Sequence, residues 1–297
     1  MKKKIVIIFL SICIISIYNI IYSKEIFKTK FIAVIEEFAP PSNDTFPDQI
    51  VIDKFDNDII YFTQPYTRML SIFNYRTKEF QEYPCQNEES WPDGLTIDNN
   101  NNLWYGNYHA GSLGFFDNQT KKHIEYKLPY KKALPAIPCV DQNNNIWISD
   151  HVNNCVSLFD VKTKKFKVYK LKEPTRWVVD VKPDSKNNIW YTAYYTGHIG
   201  KINPQNGKIT EYKCKGNPGF LVVDSNDNIW TADWDGNNLI FLDTKSKKFE
   251  YYNLKLIDNV KVNSLGAIAI DKNDIIYFSE RDTDRVTIFF PNTRNFY

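Results

Sequence analysis

The chain repeats itself about every 43 residues, and that period constrains its fold more than any other feature. Asn-rich turns lead into an aromatic residue. Asn-Asn-Leu-Trp ends at Trp104, Asn-Asn-Ile-Trp at Trp147 and again at Trp190, and Asp-Asn-Ile-Trp at Trp230. Weaker copies, Asp-Ile-Ile-Tyr, end at Tyr61 and Tyr277. The anchors are spaced by 43, 43, 43, 40 and 47 residues. A period of this length belongs to solenoids, propellers and arrays, whose units bury their apolar faces only against one another.

Each unit reads as four short strands. In the third they fall at 137–140, 145–149, 156–159 and 166–171, separated by Asn- and Asp-rich turns that tolerate left-handed backbone. No segment sustains a 3.6-residue apolar period, so helix is expected to be nearly absent. Six four-stranded units without helices predict an all-β, six-bladed β-propeller of antiparallel blades. The anchors are expected to pack between blades. The last unit is cut short at Asn295-Phe296-Tyr297. Residues 31–38 match the fourth strands of other units, so this N-terminal strand is expected to close the last blade and remove an open edge.

Hydrophobic residues make up 43% and charged residues 24% of the 297, enough apolar material for a large folded core. A net charge of +2 argues against a nucleic-acid partner. There is no glycine-rich phosphate loop and no Cys/His spacing suited to zinc. Lys2, Lys3 and Lys4 precede an apolar run at 5–17, with Ser23 at a cleavage position. Residues 1–23 therefore read as a signal peptide, with an uncleaved anchor as the rival reading. The expected product is one propeller domain over 24–297, secreted or periplasmic, monomeric, and free of the membrane once cleaved. Four cysteines remain after cleavage: Cys85, Cys139, Cys155 and Cys214. Cys85 and Cys214 occupy the same phase three units apart, across the diameter of a six-unit ring, so they are not expected to pair.

The units resemble those of the virginiamycin B lyase (streptogramin lyase) family. The fourth carries Asn188-Ile189-Trp190-Tyr191-Thr192-Ala193, His198-Ile199-Gly200-Lys201-Ile202 and Gly207-Lys208-Ile209-Thr210-Glu211-Tyr212. The second carries Pro92-Asp93-Gly94-Leu95 and Ile124-Glu125-Tyr126. The resemblance implies a magnesium-assisted lyase that linearises a cyclic depsipeptide by elimination at an ester. It also implies histidines after the Pro that begins an inner strand. Those positions here hold Asp48, Asp93, Ala136, Trp177, Gly219 and Gly266, and the family's seven blades exceed the six units counted.

One ring face gathers the loops before the inner strands and after the second strands. The position after each Trp-x-Thr-like run holds Gln64, Asn107, Asp150, Ala193, Asp233 or Glu280. Asp150, Asp233 and Glu280 are candidate oxygen ligands for Mg²⁺ or Ca²⁺. Trp91, Tyr108, Trp177, Tyr194, Trp234 and Arg281 are candidates to bind a small molecule or peptide by stacking and hydrogen bonding. His151 and His109, on adjacent units, are the candidate acid–base groups. The expected function is an exported propeller that binds such a ligand and acts as a lyase or hydrolase on an ester or lactone. The alternative is a non-catalytic recognition module for a protein or glycan.

Overall fold

Six four-stranded antiparallel sheets follow one another along the chain, and none of the described residues is helical. The computed structural model describes residues 5–8, 35–172, 177–253, 265–280, 285–291 and 295–296. Blade 1 comprises Ile50–Ile52, Ile59–Gln64, Met69–Asn74 and Glu79–Pro84. Blade 2 comprises Pro92–Ile97, Leu103–Asn107, Ser112–Asp117 and Lys122–Lys127. The inner strands of blades 3 to 6 are Pro135–Val140, Val178–Pro183, Pro218–Val223 and Leu265–Ile270. This is a six-bladed β-propeller, as the repeat predicts.

The anchors do two jobs. Trp104, Trp147 and Trp190 are fully buried between blades, and each pair of blades from 1–2 to 5–6 shares an apolar cluster. Each indole N–H also donates to an Asp six residues earlier. Trp104, Trp147 and Trp190 reach Asp98, Asp141 and Asp184 at 3.0 Å, and Trp230 reaches Asp224 at 3.1 Å. The other carboxylate oxygen of Asp141 accepts the Asn143 and Asn145 amides, closing the turn between the first two strands. The left-handed residue in that turn, Asn144 at φ 62°, lends its side chain to the Asn99 amide of the preceding blade at 2.7 Å. Asn187 and Asp227 repeat the bond to Gln142 and Ser185. The Asn-rich turns thus link blade to blade.

The N-terminal closure differs from expectation. The last blade takes its fourth strand from the end of the chain, Asn295–Phe296, paired with Phe289 and Phe290. Ile35–Phe38 pairs instead with Ile5–Ile8. Residues 31–34 lie outside the described residues. The physical reason is side-chain packing on blade 1. Phe38 sits 4.8 Å from the Phe73 ring and 6.2 Å from Tyr75, Lys78 Nζ lies 4.7 Å from its centroid, and Lys78 pairs with Glu36 at 3.2 Å. Apart from residues 5–8, the leader segment 1–23 also lies outside the described residues. Cys85, Cys139, Cys155 and Cys214 are free thiols, so Cys85 and Cys214 do not pair. No helix among the described residues is long and apolar enough to cross a membrane.

Candidate functional site

The first residue of an inner strand pairs with the last residue of the second strand, so both mark one end of the ring. Pro92 pairs with Asn107, Pro135 with Asp150, Val178 with Ala193, Pro218 with Asp233 and Leu265 with Glu280. The hairpin turns that follow the second strands bond back to the loops leading into the inner strands. Tyr108 N donates to Trp91 O at 2.9 Å, Tyr194 N to Trp177 O at 3.1 Å, and Trp234 N to Asn217 O at 3.0 Å. Trp177 N donates to His151 O at 2.8 Å, joining two blades.

This geometry brings the sequence-predicted aromatics into one continuous belt. Tyr66 meets Trp91 at 4.9 Å between centroids, and Trp91 meets His109 at 5.1 Å. His109 meets Tyr108, and Tyr108 meets His151, both at 5.3 Å. His151 meets Trp177, and Trp177 meets Tyr194, also at 5.3 Å. Tyr194 meets Trp234 at 5.7 Å. Five blades contribute. Tyr195 joins the belt 5.3 Å from Trp177, and Tyr66 and Tyr195 are 61% and 62% exposed, so these rings reach solvent. Arg281 lies outside the described residues.

Two details show that the belt is built at a cost. Trp177 stands at φ 66°, a left-handed conformation that costs a bulky residue about 1 kcal/mol or more. Its buried indole N–H meets no acceptor among the described residues. Gly219 leaves room for the Trp234 indole, because a Cβ there would lie 2.0 Å from Trp234 Nε1. Strain and, among the described residues, an unpartnered donor gather at one point of the belt.

His151 Nδ1 sits 3.3 Å from the Tyr108 hydroxyl. Burial pushes the His151 imidazole down to about 4, so it is neutral at physiological pH. Burial also raises Tyr108, helped by the negative charges of Asp93 and Asp150.

The three carboxylates proposed as metal ligands are used differently. Asp150 Oδ2 accepts the Leu134 amide at 2.9 Å, and Oδ1 accepts the amides of Val152 and Asn153 at 2.9 and 2.6 Å. Asp233 Oδ1 accepts the Asn217 amide at 3.0 Å, and Glu280 accepts the Thr287 hydroxyl. Asn107, at the equivalent place in blade 2, accepts the Trp91 amide at 2.8 Å. These side chains turn back to fasten loops. Among the described residues, no three His, Cys, Asp or Glu side chains converge to hold a metal ion. Among the described residues, this donor set does not fit Mg²⁺ or Ca²⁺.

Asp48 and Asp93 stand at two of the inner-strand positions where the family resemblance implies histidine. The two hold one register at the inner strands of blades 1 and 2. Asp93 is half-buried, and burial followed by the charge of Asp48 pushes its carboxyl up to about 8. The signal available in the sequence was the repeated Pro-Asp at 47–48 and 92–93.

The sequence model of the virginiamycin B lyase family matches residues 20–288. A catalytically inactive variant of virginiamycin B lyase from Staphylococcus aureus, solved with quinupristin, is 21% identical. The likeness covers 85% of this chain and 83% of that one, with a TM-score of 0.76. A streptogramin B lyase structure is 19% identical over 88% and 85% of the two chains, at 0.80. The extracellular domain of a putative one component system from B. thetaiotaomicron is 16% identical over 84% and 36%, at 0.66. Structural likeness at these identities establishes the fold. No curated protein matches the chain.

Proposed function

Because the chain belongs to the virginiamycin B lyase family, we propose that it opens an ester or lactone in a ring-bearing small molecule or cyclic peptide held on its aromatic face. The observation that carries this reading is the unbroken belt from Tyr66 to Trp234. Rings at 5–6 Å spacing offer stacking area to a ligand that carries rings of its own. The protein works as an exported monomer, delivered by residues 1–23, and its near-neutral mature surface does not ask for a nucleic acid.

A second reading, a recognition module without turnover, draws support from the absence of histidine at all six inner-strand positions noted above. One experiment separates the two. Quinupristin is titrated while tryptophan fluorescence is followed, and the recovered compound is analysed by mass spectrometry. The lyase reading expects saturable quenching and a ring-opened isomer of unchanged mass. Hydrolysis would add the mass of one water. Quenching with intact quinupristin leaves the recognition module, and no quenching rejects this class of ligand on the belt.

A further inference from the structure

At blades 1 and 2 the belt borders a cavity of about 530 Å³ whose wall includes Tyr66, Arg68, Glu88, Glu89, Trp91 and His109. Three connections build it. Tyr66 and Arg68 stand in the hairpin turn after Ile59–Gln64, where Arg68 N donates to Pro65 O at 3.2 Å. Glu88, Glu89 and Trp91 stand in the loop from blade 1 to blade 2, and His109 in the turn after Leu103–Asn107. The loop between the blades is fastened from within. Asn87 Oδ1 accepts the Glu89 amide at 2.9 Å, and Asn107 Oδ1 accepts the Trp91 amide at 2.8 Å. Buried Ser90 accepts from Asn107 Nδ2 at 3.1 Å and donates to Glu125 at 3.4 Å.

This fastening sets aromatic and acidic groups around one space. Phe46, Tyr66, Trp91 and His109 follow one another at 5.1, 4.9 and 5.1 Å between centroids, with interplanar angles of 59°, 56° and 67°. Rings set at such angles do not cover one another's faces, and Tyr66 is exposed. Arg68 Nη1 donates to the Glu88 backbone oxygen at 2.7 Å. The Glu88 and Glu89 carboxylates are in no ion pair among the described residues. A neighbouring cavity of about 760 Å³ shares both glutamates and adds Glu125, with no Lys or Arg among its described lining residues. Carboxylates therefore outnumber the single guanidinium here. A cation gains from the ring faces through their quadrupole and from the carboxylates through charge, and an anion gains from neither.

We propose that the cavity bounded by Tyr66, Trp91, Glu88 and Glu89 binds an organic ammonium group, the cationic end of the ligand that the belt takes. The assignment rests on the belt as the ligand-bearing face and adds to it a requirement for positive charge at this end. It asks nothing of the chemistry at the ester.

Choline, and its uncharged counterpart 3,3-dimethyl-1-butanol, are titrated into ¹⁵N-labelled protein while the Trp91 indole signal is followed by NMR. Trp91→Phe identifies that signal. The expected result is a saturable shift with choline and an affinity for the alcohol weaker by about tenfold or more. The double variant Glu88→Gln/Glu89→Gln should weaken choline by about tenfold, Tyr66→Ala should weaken it by a similar factor, and Arg68→Gln should tighten it. Both glutamates are exposed, so their replacement leaves the fold intact, which unchanged thermal unfolding checks. Equal affinity for choline and the alcohol, or a choline affinity indifferent to the glutamates, overturns the proposal. Quinupristin is titrated into the same proteins. Its quenching without a choline response overturns the cavity and leaves the belt reading, whereas a choline response without quenching supports the cavity and rejects quinupristin as a belt ligand.

Discussion

Replacing Asp150 separates a loop-fastening carboxylate from a metal ligand. Asp150 is fully buried and accepts three backbone amides, from Leu134, Val152 and Asn153. A hydrogen bond to a charged acceptor contributes roughly 1.5–3 kcal/mol. Water can reach the exposed Val152 side of the turn, so the three do not add in full. Asp150→Ala is therefore expected to cost about 3–5 kcal/mol, a large share of the roughly 5–15 kcal/mol that holds a typical domain together. Asp150→Asn keeps the acceptor facing Val152 and Asn153 but turns an N–H toward Leu134 N–H. About 1–3 kcal/mol is expected there. The assay is urea unfolding with excess Mg²⁺, with excess Ca²⁺ and with chelator. Both variants should lose the same amount under all three conditions. An ion bound at 100 times its Kd would stabilise the wild type by about 2.7 kcal/mol. Ion-dependent stabilisation of that size, abolished by Asp150→Asn, would refute the loop-fastening account.

Gly219→Ala drives a methyl into the Trp234 indole. It is expected to weaken quinupristin binding about tenfold or more, measured by fluorescence titration, an effect of about 1.4 kcal/mol. Trp147→Phe removes the buried bond to Asp141 and should cost about 2–4 kcal/mol in urea unfolding. Tyr277→Phe, whose hydroxyl stands 3.5 Å from Asp271, should cost less than about 1 kcal/mol. The pH dependence of stability has two opposing arms. Native Asp93 keeps a proton that the unfolded chain releases near 3.8, so stability falls as pH rises from there to about 8. Asp93→Asn should remove that slope and leave the protein more stable than wild type at alkaline pH. Native His151 refuses a proton that the unfolded chain takes near 6.5, so stability falls as pH drops from 6.5 to about 4. His151→Gln should flatten that arm in urea unfolding across the same range.

The architecture was legible because one pattern recurs in phase. A turn Asp, a left-handed Asn and an aromatic anchor return at the same spacing, and each repeat joins its strands locally and its neighbour through the same side chains. The belt was legible for the same reason, since aromatics at equal phase fall on one face. Closure was not. Residues 31–38 read like an outer strand, and what settles the place of Ile35–Phe38 is the packing of Phe38 on Phe73 and Tyr75, a contact with no signature in the strand itself. The carboxylates at 150, 233 and 280 were placed at the correct end of their strands, but the nearby backbone amides satisfy them before an ion could. Asp48 and Asp93 are 45 residues apart in the chain. The charge of Asp48 acts on Asp93 through the fold, across that gap in the chain.

Difference electron density from crystals of the protein soaked with quinupristin tests the central claim most directly. The account predicts quinupristin rings stacked along the belt between Trp91 and Trp234. Density on the opposite face of the ring or on its outer rim, with the belt bare, would contradict it.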